Sequence, residues 1–327
     1  MNKKVSIIIV TWNAKEFLRQ CLYSVYRETQ EIAFEVFVVD NASSDGTVEM
    51  VEKEFPKVRL IKSDRNLGFA RANNIALRPV LEEKSSDFIL LLNSDAVIRD
   101  RAVERLASYL EQTPEAGAAG PALVLPDGKF QPGIGGFLPA ARTGFHYFFF
   151  LFKLFPGRVK GLFIDQAFFA KKKKIARVEW LSGACLMLRR QAVEKIGLMN
   201  EDYFFYLDDI DWGKRMKEAG VAIHYFPEAR VLHLHGVTYK KILKEANIRW
   251  LELLYHYVRE ERGVWEYRAF RFFSVCGFFL RLVIRAVPFA LKRDESRRRK
   301  IREMSGFFVF SLRADISRTS PPKLQNL

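Results

Sequence analysis

The sequence predicts an α/β fold built on a doubly wound sheet. Two observations carry this prediction. Strand and helix patterns alternate from the N-terminus to about residue 125, as expected where helices cross over between neighbouring strands. The apolar run at residues 88–92 contains no polar side chain, which indicates a strand buried on both faces.

Each of the first four predicted strands ends in a polar cluster. A β-branched run opens the chain, and helical spacing begins near Lys15. The clusters follow the strands at residues 11–13, 40–47, 65–74 and 93–95. Because open α/β sheets bind ligands at the carboxyl ends of their strands, we expect the four clusters to meet at one edge of the sheet.

The composition shifts at about residue 240. Residues 1–240 are predicted to form the α/β domain, with an irregular insertion at 130–176 that could face a membrane. Residues 241–327 are predicted to be helical, basic and membrane-associating, with a disordered tail from Ser317 to Leu327. Beyond residue 125, the other predicted elements of the first domain are a strand at 178–189, a helix at 208–220 and a strand at 221–226.

The composition also limits the class of partner. The 327 residues carry 53 Lys and Arg against 38 Asp and Glu, a net charge of +15, which suggests an anionic partner. The aromatic residues cluster in apolar blocks such as 145–152. A base-stacking surface would interleave them with basic residues, so we expect no nucleic acid. The three cysteines form no spaced pair, which argues against a disulfide framework or a zinc site and fits a reducing compartment.

Seven motifs in one order give the chain a family resemblance. They comprise the four strand-end clusters and three later stretches at residues 180–185, 206–212 and 227–233. Over about residues 5–240 the chain resembles the family 2 glycosyltransferases, inverting enzymes with the GT-A fold. Within that family it is most similar to the bacterial rhamnosyltransferase-like enzymes of surface polysaccharide assembly. The resemblance implies a mixed, Rossmann-like nucleotide-binding sheet with helices on both faces.

The resemblance implies a divalent cation, Mg²⁺ or Mn²⁺, that holds the leaving diphosphate. It assigns Asp95 and His233 as metal ligands, and Asn93 to the ribose. Histidine suits manganese better than magnesium. Taken alone, the Asn93-Ser94-Asp95 triplet would also fit a turn after a strand, and His233 would also fit a hydrogen-bonded structural histidine. His235 lies two residues further on and would share a face with His233 in a strand.

The nucleotide is expected at the ends of the first three strands. By resemblance, Asp40 accepts a hydrogen bond from the ring N–H of uracil or thymine, because only a base with such a donor suits a carboxylate. Thr11, Asn13 and Asn66 are expected beside the nucleotide. The alternative for Asp40 is an Asx-turn or a helix cap.

The general base is expected among three carboxylates. Of Asp208, Asp209 and Asp211, the family pattern assigns the base to Asp209. Asp208, which stands where the subgroup usually has Glu, would orient the acceptor, and Asp211 would cap the helix or pair structurally. The alternative is an acidic helix N-terminus that only complements the helix dipole.

The motif at residues 180–185 is expected to shape the sugar pocket. Gly183 and Ala184 are small enough to lie beneath the sugar, where a bulky side chain would collide with it. Trp180 would stack on a sugar face or belong to the core. A further departure from the subgroup is Trp212-Gly213, which replaces the usual Leu-Cys pair.

The donor implied by the resemblance is a nucleoside-diphosphate sugar, with dTDP-rhamnose as the first choice, and the acceptor is a saccharide or lipid-linked saccharide. A UDP-sugar donor is the alternative within the family. A nucleotidyltransferase would carry a Gly-rich phosphate loop near the first strand, which residues 11–14 lack. A non-catalytic relative that only binds the nucleotide sugar is the third alternative. Retention of Asp95, Asp209 and His233 together argues against it.

The C-terminal region predicts a peripheral attachment to the inner, cytoplasmic face of a bacterial membrane. Residues 272–291 are about long enough to span a bilayer, but two arginines inside the run make spanning costly. A helix here has a basic side, comprising Arg271, Arg281, Arg285 and Lys292, and an apolar side, comprising Phe272, Cys276, Phe279, Val283 and Val287. This pattern is typical of a helix lying on an anionic membrane surface. The alternative is that the apolar side packs on the catalytic domain.

Overall fold

The computed structural model describes residues 3–203, 207–234, 237–291 and 295–314. His235 and the predicted disordered tail lie outside these residues. The chain divides into two compact units. The first unit comprises 3–135 and the described part of 165–241, and the second comprises 136–164 and the described part of 242–314.

The elements are described in chain order. Up to residue 136 they are β1 (Lys4–Thr11), α1 (Lys15–Glu28), β2 (Ala33–Asp40), α2 (Thr47–Glu54), β3 (Arg59–Lys62), α3 (Gly68–Glu83), β4 (Phe88–Asn93), β5 (Ala96–Ile98), α4 (Ala102–Gln112), β6 (Ala116–Val124) and β7 (Gly135–Gly136). After it they are α5 (Ala141–Phe148), α6 (Leu151–Leu154), α7 (Gln166–Lys171), β8 (Ala176–Val178), β9 (Trp180–Leu181), β10 (Cys185–Arg189), α8 (Arg190–Ile196), α9 (Asp208–Glu218), β11 (Ala222–His233), α10 (Val237–Arg262), α11 (Val264–Leu291) and α12 (Glu295–Arg313).

The first unit is built on one mixed sheet. Its strands run in the order β3-β2-β1-β4-β10-β6-β11-β5, and β8 pairs with β11. The first four strands are parallel, whereas β10 is antiparallel to both β4 and β6. The central strands β1 and β4 are almost wholly buried, because the helices that cross over between the strands cover a parallel sheet on both faces.

Strand β11 runs further than the sequence predicts. The strand pattern indicates residues 221–226, but β11 continues to His233. Its register against β6 shifts between Phe226 and Arg230. Pro227 lies in this interval and has no N–H for the ladder, so a bulge is expected there. The strand resumes after the bulge and carries His233 to the edge that holds the polar clusters.

The second unit contains α5, α6, α11, α12 and most of α10. Helices α5 and α11 lie so close together that a side chain at Gly277 would meet Phe148 Cβ at 2.4 Å. The Phe148 ring is fully buried and lies 5.6 Å from the Phe270 ring in an edge-on arrangement. Part of the predicted insertion therefore packs with the C-terminal helices in a core of aromatic side chains.

In the part of the chain that the structure describes, every helix is either too short or too polar to cross a bilayer.

Candidate functional site

Strand register places the predicted clusters at one edge of the sheet. Thr11 pairs with Asp40 across β1 and β2, and Val10 pairs with Asn93 across β1 and β4. Asp40 also pairs with Lys62, the last residue of β3. The carboxyl ends of four parallel strands therefore meet, as predicted from the sequence.

Thr11 and Asp40 leave two buried polar atoms without partners. Asp40 is 2% exposed, and its Oδ2 accepts a hydrogen bond from Ser43 N at 3.0 Å. Its Oδ1 has no hydrogen-bond partner, and the Thr11 Oγ1 on the adjacent strand has none either. Buried polar atoms in native structures are nearly always satisfied, so a neighbouring unsatisfied pair points to a ligand. The bond to Ser43, three residues on, gives Asp40 a local structural role like the one that was the alternative to base recognition, yet its other oxygen has no hydrogen-bond partner.

The loops around Asp40 are fixed by side-chain amides. Asn41 Nδ2 donates to Asn66 Oδ1 at 2.8 Å, and Asn41 Oδ1 accepts from Leu67 N at 2.8 Å. Asn66 Oδ1 also accepts from Gly68 N at 3.0 Å. The oxygen of Asn66, a predicted nucleotide contact, is therefore engaged in holding the loop before α3.

Asn13 has a similar anchoring contact. Its Oδ1 accepts from Ser44 N at 2.8 Å, and its own N donates to Ser43 Oγ at 2.9 Å. Asn13 has a φ of 49°, and Ala42 in the facing loop has a φ of 66°. Both are left-handed conformations that cost free energy and are common in binding loops.

His233 and Asp95 meet at the same edge, although they are far apart in sequence. His233 Nε2 lies 3.0 Å from Asp95 Oδ1 and 3.3 Å from Asn93 Nδ2. The other ring nitrogen, Nδ1, lies 2.7 Å from Gln131 Oε1. A proton on Nδ1 shared with Gln131 leaves the lone pair of Nε2 directed at the carboxylate. Nε2 and the carboxylate oxygen are then both electron-pair donors. Either a proton placed on Nε2 or a cation bound by both atoms removes the repulsion between them.

These residues fit a divalent cation. Two atoms bound at right angles to one octahedral ion, each about 2.1 Å from it, lie about 3 Å apart. This matches the separation of His233 Nε2 and Asp95 Oδ1. Within the described residues, no group of three or more His, Cys, Asp or Glu side chains could hold a metal ion by itself. Magnesium sites that act on diphosphates commonly use one or two protein ligands and complete the coordination with water and phosphate oxygens.

Asp209 joins this cluster through the backbone of Gly183 and Ala184. Asn93 N donates to Ala184 O at 3.0 Å, and Gly183 N donates to Asp209 Oδ1 at 3.0 Å. A methyl group on Gly183 would lie 2.9 Å from the Phe69 ring and 3.1 Å from Asp209 Oδ1. The absence of a side chain at Gly183 thus lets both the aspartate and the aromatic ring lie close to the backbone here.

The two carboxylates that open α9 have raised pKa values. Burial, with Asp208 beside it, holds the pKa of Asp209 well above its usual range. Burial raises the pKa of Asp208 to about 6. The preceding residue, Leu207, has a φ of 64° and is buried, a strained conformation for a leucine at a helix N-terminus. Carboxyl groups with pKa values nearer neutrality are suited to proton transfer.

Asp211 has the structural role that the sequence predicts. Its Oδ2 accepts from Arg215 Nε at 3.0 Å and lies 2.9 Å from the second Arg215 nitrogen. Arg215 also donates to the carbonyls of Ile196 and Leu198 at 2.9 and 2.7 Å. This network ties α9 to the segment that follows α8.

Trp180 lies mainly in the core. It is 6% exposed, and a methyl group on Gly213 would lie 2.7 Å from its Cβ. The neighbouring Trp212 is 1% exposed and donates from Nε1 to Gly197 O at 3.0 Å. The departure from the subgroup at 212–213 thus has a packing reason, since the glycine admits Trp180 against α9.

Four separate segments therefore form one connected site. The structure joins Asp95, Asn93 and His233 to Ala184, Gly183 and Asp209 by direct contacts. The sequence pattern gave no sign of Gln131, which orients His233. Asn41, which bonds to Asn66, lies within the second cluster but was not assigned a role. Gln131 follows a strong turn signal, but an isolated glutamine in a loop has no periodicity to reveal it. Phe69 was visible within the third cluster and was not singled out.

The chain matches the model of the family described as "Glycosyl transferase family 2" over residues 6–197. It is 29% identical over 247 residues to an N-acetylglucosaminyl-diphospho-decaprenol L-rhamnosyltransferase of Mycobacterium tuberculosis, covering 71% of this chain and 76% of that protein. It is 25% identical over 236 residues to a dTDP-rhamnosyl transferase of Shigella flexneri, covering 72% and 71% respectively.

Two solved structures have a similar fold. The mannosyltransferase from Pyrobaculum calidifontis, in complex with GDP-Man and Mn²⁺, gives a TM-score of 0.61 at 16% identity, covering 95% of this chain and 86% of that one. GalNAc-T7 with UDP, GalNAc and Mn²⁺ gives a TM-score of 0.54 at 15% identity, covering 79% of this chain and 50% of that one. The predicted GT-A fold is confirmed by these similarities and by the mixed sheet.

Proposed function

The chain belongs to glycosyl transferase family 2, and we propose that it moves rhamnose from dTDP-rhamnose to a lipid-linked saccharide with inversion at the anomeric carbon. The observation that carries the proposal is the contact series from Asp95 and His233 through Asn93 to Asp209. In this proposal the diphosphate lies at the Asp95 end of the series, the base is Asp209 at the other end, and the sugar lies between them.

The nucleobase is proposed to lie against Asp40 and Thr11. Asp40 Oδ1 is buried without a partner, and the imide N–H of thymine or uracil is the donor that a carboxylate oxygen requires. Guanine also carries a ring N–H donor, so the choice of a pyrimidine rests in addition on the relative that is a dTDP-rhamnosyl transferase by name. Thymine and uracil are left to be distinguished by experiment.

The diphosphate is proposed to lie at Asp95 and His233. These two side chains would hold Mn²⁺ or Mg²⁺, which when bound neutralises the charge that develops on the leaving diphosphate. Gln131 fixes the His233 ring by its contact with Nδ1, so that Nε2 stays directed at the site. The proposed metal ligand His233 is thereby held in position before the nucleotide binds.

Asp209 is proposed to act as the general base. The acceptor hydroxyl attacks the anomeric carbon while the bond from that carbon to the diphosphate oxygen breaks, and the hydroxyl proton passes to Asp209. The Gly183 N–H, 3.0 Å from Asp209 Oδ1, holds the carboxylate in place. The second carboxylate oxygen is then available for the proton. A single displacement of this kind inverts the configuration at the anomeric carbon.

The identities of the transferred sugar and of the acceptor are proposed from the names of the relatives. The two relatives described above are an N-acetylglucosaminyl-diphospho-decaprenol L-rhamnosyltransferase and a dTDP-rhamnosyl transferase by name. A lipid-linked acceptor is held at a membrane, so we also place the enzyme on the inner face of the bacterial membrane. A UDP-sugar is the second candidate donor, because Asp40 suits both pyrimidines.

The direct test is a transfer assay with a panel of donors. Purified protein would be given radiolabelled dTDP-rhamnose, UDP-glucose or UDP-N-acetylglucosamine, Mn²⁺ and a lipid extract from bacterial membranes. We expect label from dTDP-rhamnose to enter the lipid fraction and the Asp209→Asn variant to transfer little. Transfer from a UDP-sugar alone would reject the rhamnose assignment, and transfer of label by Asp209→Asn at the wild-type rate would reject the base.

A further inference from the structure

Helices α11 and α12 of the second unit pack as an antiparallel pair. Arg271 Nε donates to Ser311 O at 2.9 Å near one end of the pair, and Arg285 lies 3.4 Å from Lys300 O near the other. Between these contacts, the rings of Phe278 and Phe307 stack at 5.0 Å. The orientation of each helix about its axis is thus set by contacts along its length.

Arg281, on the basic side of α11, faces inwards. Arg281 is 8% exposed and donates to Phe148 O at 2.6 Å and to Tyr147 O at 2.9 Å. Its guanidinium also lies 4.3 Å from the centre of the Phe150 ring. Carbonyl oxygens and aromatic faces are favourable partners for a buried guanidinium. Because Arg281 is held inside, the opposite side of the helix must face outwards.

That opposite side carries a stripe of large apolar residues. Trp265, Phe272, Phe279 and Val283 are 79%, 62%, 56% and 47% exposed. At about 100° per residue these four positions lie within about 60° of one another around the helix. The stripe is about 27 Å long at 1.5 Å per residue. Exposed apolar residues in such an array mark an interaction surface, whereas scattered ones do not.

Helix α12 extends the stripe. The Phe308 ring lies 5.9 Å from the Phe279 ring, and Val309 and Leu312 are 41% and 50% exposed. Apolar side chains of both helices therefore form one surface, which we call the α11–α12 face. It comprises Trp265, Phe272, Phe279, Val283, Phe308, Val309 and Leu312.

Exposed cations lie at one end of this face. Arg298, Arg299, Lys300 and Arg302 are exposed on α12, together with the acidic Glu295 and Glu303. Arg302 is seven residues before Val309, and Arg298 is eleven residues before it, so both lie on the same side of α12 as that valine. The basic end of α12 lies beside the Arg285 end of α11. The side chains of Val287, Lys292 and Arg297 lie outside those that the structure describes.

We propose that the α11–α12 face lies flat on an anionic phospholipid bilayer. Tryptophan and phenylalanine favour the boundary between headgroups and acyl chains, and the adjacent cations match anionic headgroups. No helix in the described ranges is long and apolar enough to span a bilayer, which agrees with a surface that lies on a membrane. The proposal rests on the proposed function for its purpose, because a lipid-linked acceptor is held at such a surface.

Flotation on vesicles tests the proposal with the full-length protein and no sugar substrate. Vesicles of phosphatidylcholine alone are compared with vesicles that also contain phosphatidylglycerol, at low and high salt. We expect flotation with the anionic vesicles, weaker at high salt because screening reduces the attraction. Phe272→Asn/Phe279→Asn should reduce the bound fraction by about tenfold or more. Arg298→Glu/Arg302→Glu should lose the preference for phosphatidylglycerol.

Two control variants match these changes away from the face. Tyr23 is 56% exposed, as is Phe279, and lies in the first unit, so Tyr23→Asn should float like the wild type. Lys53→Glu/Lys57→Glu changes the net charge by the same amount as the arginine variant and lies at exposed positions of the first unit, outside the predicted insertion, so it should retain the lipid preference. Binding of dTDP, followed by thermal shift, should be unchanged in all four variants.

Wild-type protein that stays at the bottom of the low-salt anionic gradient would overturn the proposal. Equal flotation by Phe272→Asn/Phe279→Asn would also overturn it. Light scattering without vesicles gives the mass of the particle in solution. If the wild type had the mass of two chains and Phe272→Asn/Phe279→Asn had the mass of one, the face would be a contact between two copies of the chain, and the proposal would be wrong. Wild-type protein that binds dTDP but does not float would reject this surface alone, whereas wild-type protein that floats but does not bind dTDP would reject the proposed function alone.

Discussion

His233 Nε2 lies 3.0 Å from Asp95 Oδ1, although 138 positions separate the two residues in the chain. Strand β11 brings the histidine to the carboxylate by pairing His233 with Ala96, the residue after Asp95. Gln131 contacts the other nitrogen of the ring. The pair is thus assembled by strand register and oriented by a side chain that belongs to neither cluster.

Removal of the Asp95 carboxylate should abolish metal-dependent turnover. Asp95→Ala loses one proposed ligand and the charge that attracts the cation, so transfer should fall by about 10²-fold or more. Transfer rates measured across Mn²⁺ concentrations would show whether the residual activity still responds to metal. Asp127→Ala removes an exposed carboxylate that pairs with Lys129 and should behave as the wild type. Full wild-type activity in excess chelator would contradict the metal role.

Asp209→Asn should separate binding from chemistry. The amide keeps the shape and can still accept from Gly183 N, but it cannot take the acceptor proton. We expect dTDP to bind as in the wild type while the transfer rate falls by about 10²–10⁴-fold. If Asp208→Asn were inactive and Asp209→Asn retained full transfer, the two roles would be reversed.

Asp40→Asn should weaken the binding of the nucleotide. Asparagine can still accept from Ser43 N, but it replaces the unpartnered oxygen with an N–H donor that opposes the imide of the base. The loss of one hydrogen bond to a charged group is worth about 1.5–3 kcal/mol, so the Kd for dTDP should rise about 10- to 100-fold. Calorimetric titration would measure it, and an unchanged Kd would place the base elsewhere.

Gly183→Ala should impair transfer more than stability. The added methyl group would lie 2.9 Å from the Phe69 ring and 3.1 Å from Asp209 Oδ1, so one or both must shift. Displacing a catalytic carboxylate by a fraction of an ångström should lower kcat about 10- to 100-fold. Phe69→Leu in the same chain should restore part of the rate by making room. A Gly183→Ala variant with normal kcat would show that the contact is not critical.

Asp208 should give stability a defined dependence on pH. Its pKa is raised in the folded protein to about 6, so between about pH 4 and pH 6 the folded state binds more protons than the unfolded state. This carboxyl group therefore disfavours folding as pH rises through that window, by up to roughly 3 kcal/mol. Denaturant titrations should show Asp208→Asn gaining stability relative to wild type from pH 4 to pH 7. If the free energies of unfolding of Asp208→Asn and wild type differed by the same amount from pH 4 to pH 7, the raised pKa of Asp208 would be contradicted.

The strand ends were predictable because the relevant information is local. Buried strands are visible as apolar runs, and polar residues directly after them must lie at the edge of the sheet, as Thr11, Asp40 and Asn93 do. The separation of α11 into two sides was also visible from helical periodicity. Which side faces outwards was not, because it depends on contacts of Arg281 with carbonyls from a segment more than 130 residues away.

The supporting residues were not predictable from pattern. Gln131 contacts His233, 102 positions away, and Asn41 bonds to Asn66 and Leu67 in a separate loop, and neither residue lies in a periodic segment. The length of β11 was underestimated because Pro227 usually ends a strand, whereas here the chain continues past a bulge. The packing of residues 136–164 with the C-terminal helices also depends on long-range aromatic contacts such as Phe148 with Phe270.

The most direct test of the nucleotide-sugar site is calorimetric titration of the full-length protein with dTDP, UDP and GDP, each with Mn²⁺ and with chelator. A site built from Asp40, Asp95 and His233 predicts saturable binding of dTDP to one site per chain in Mn²⁺, at least about tenfold weaker binding in chelator, and weak binding of GDP. Equal binding of GDP, or binding of dTDP that is indifferent to chelator and to Asp95→Ala, would contradict it.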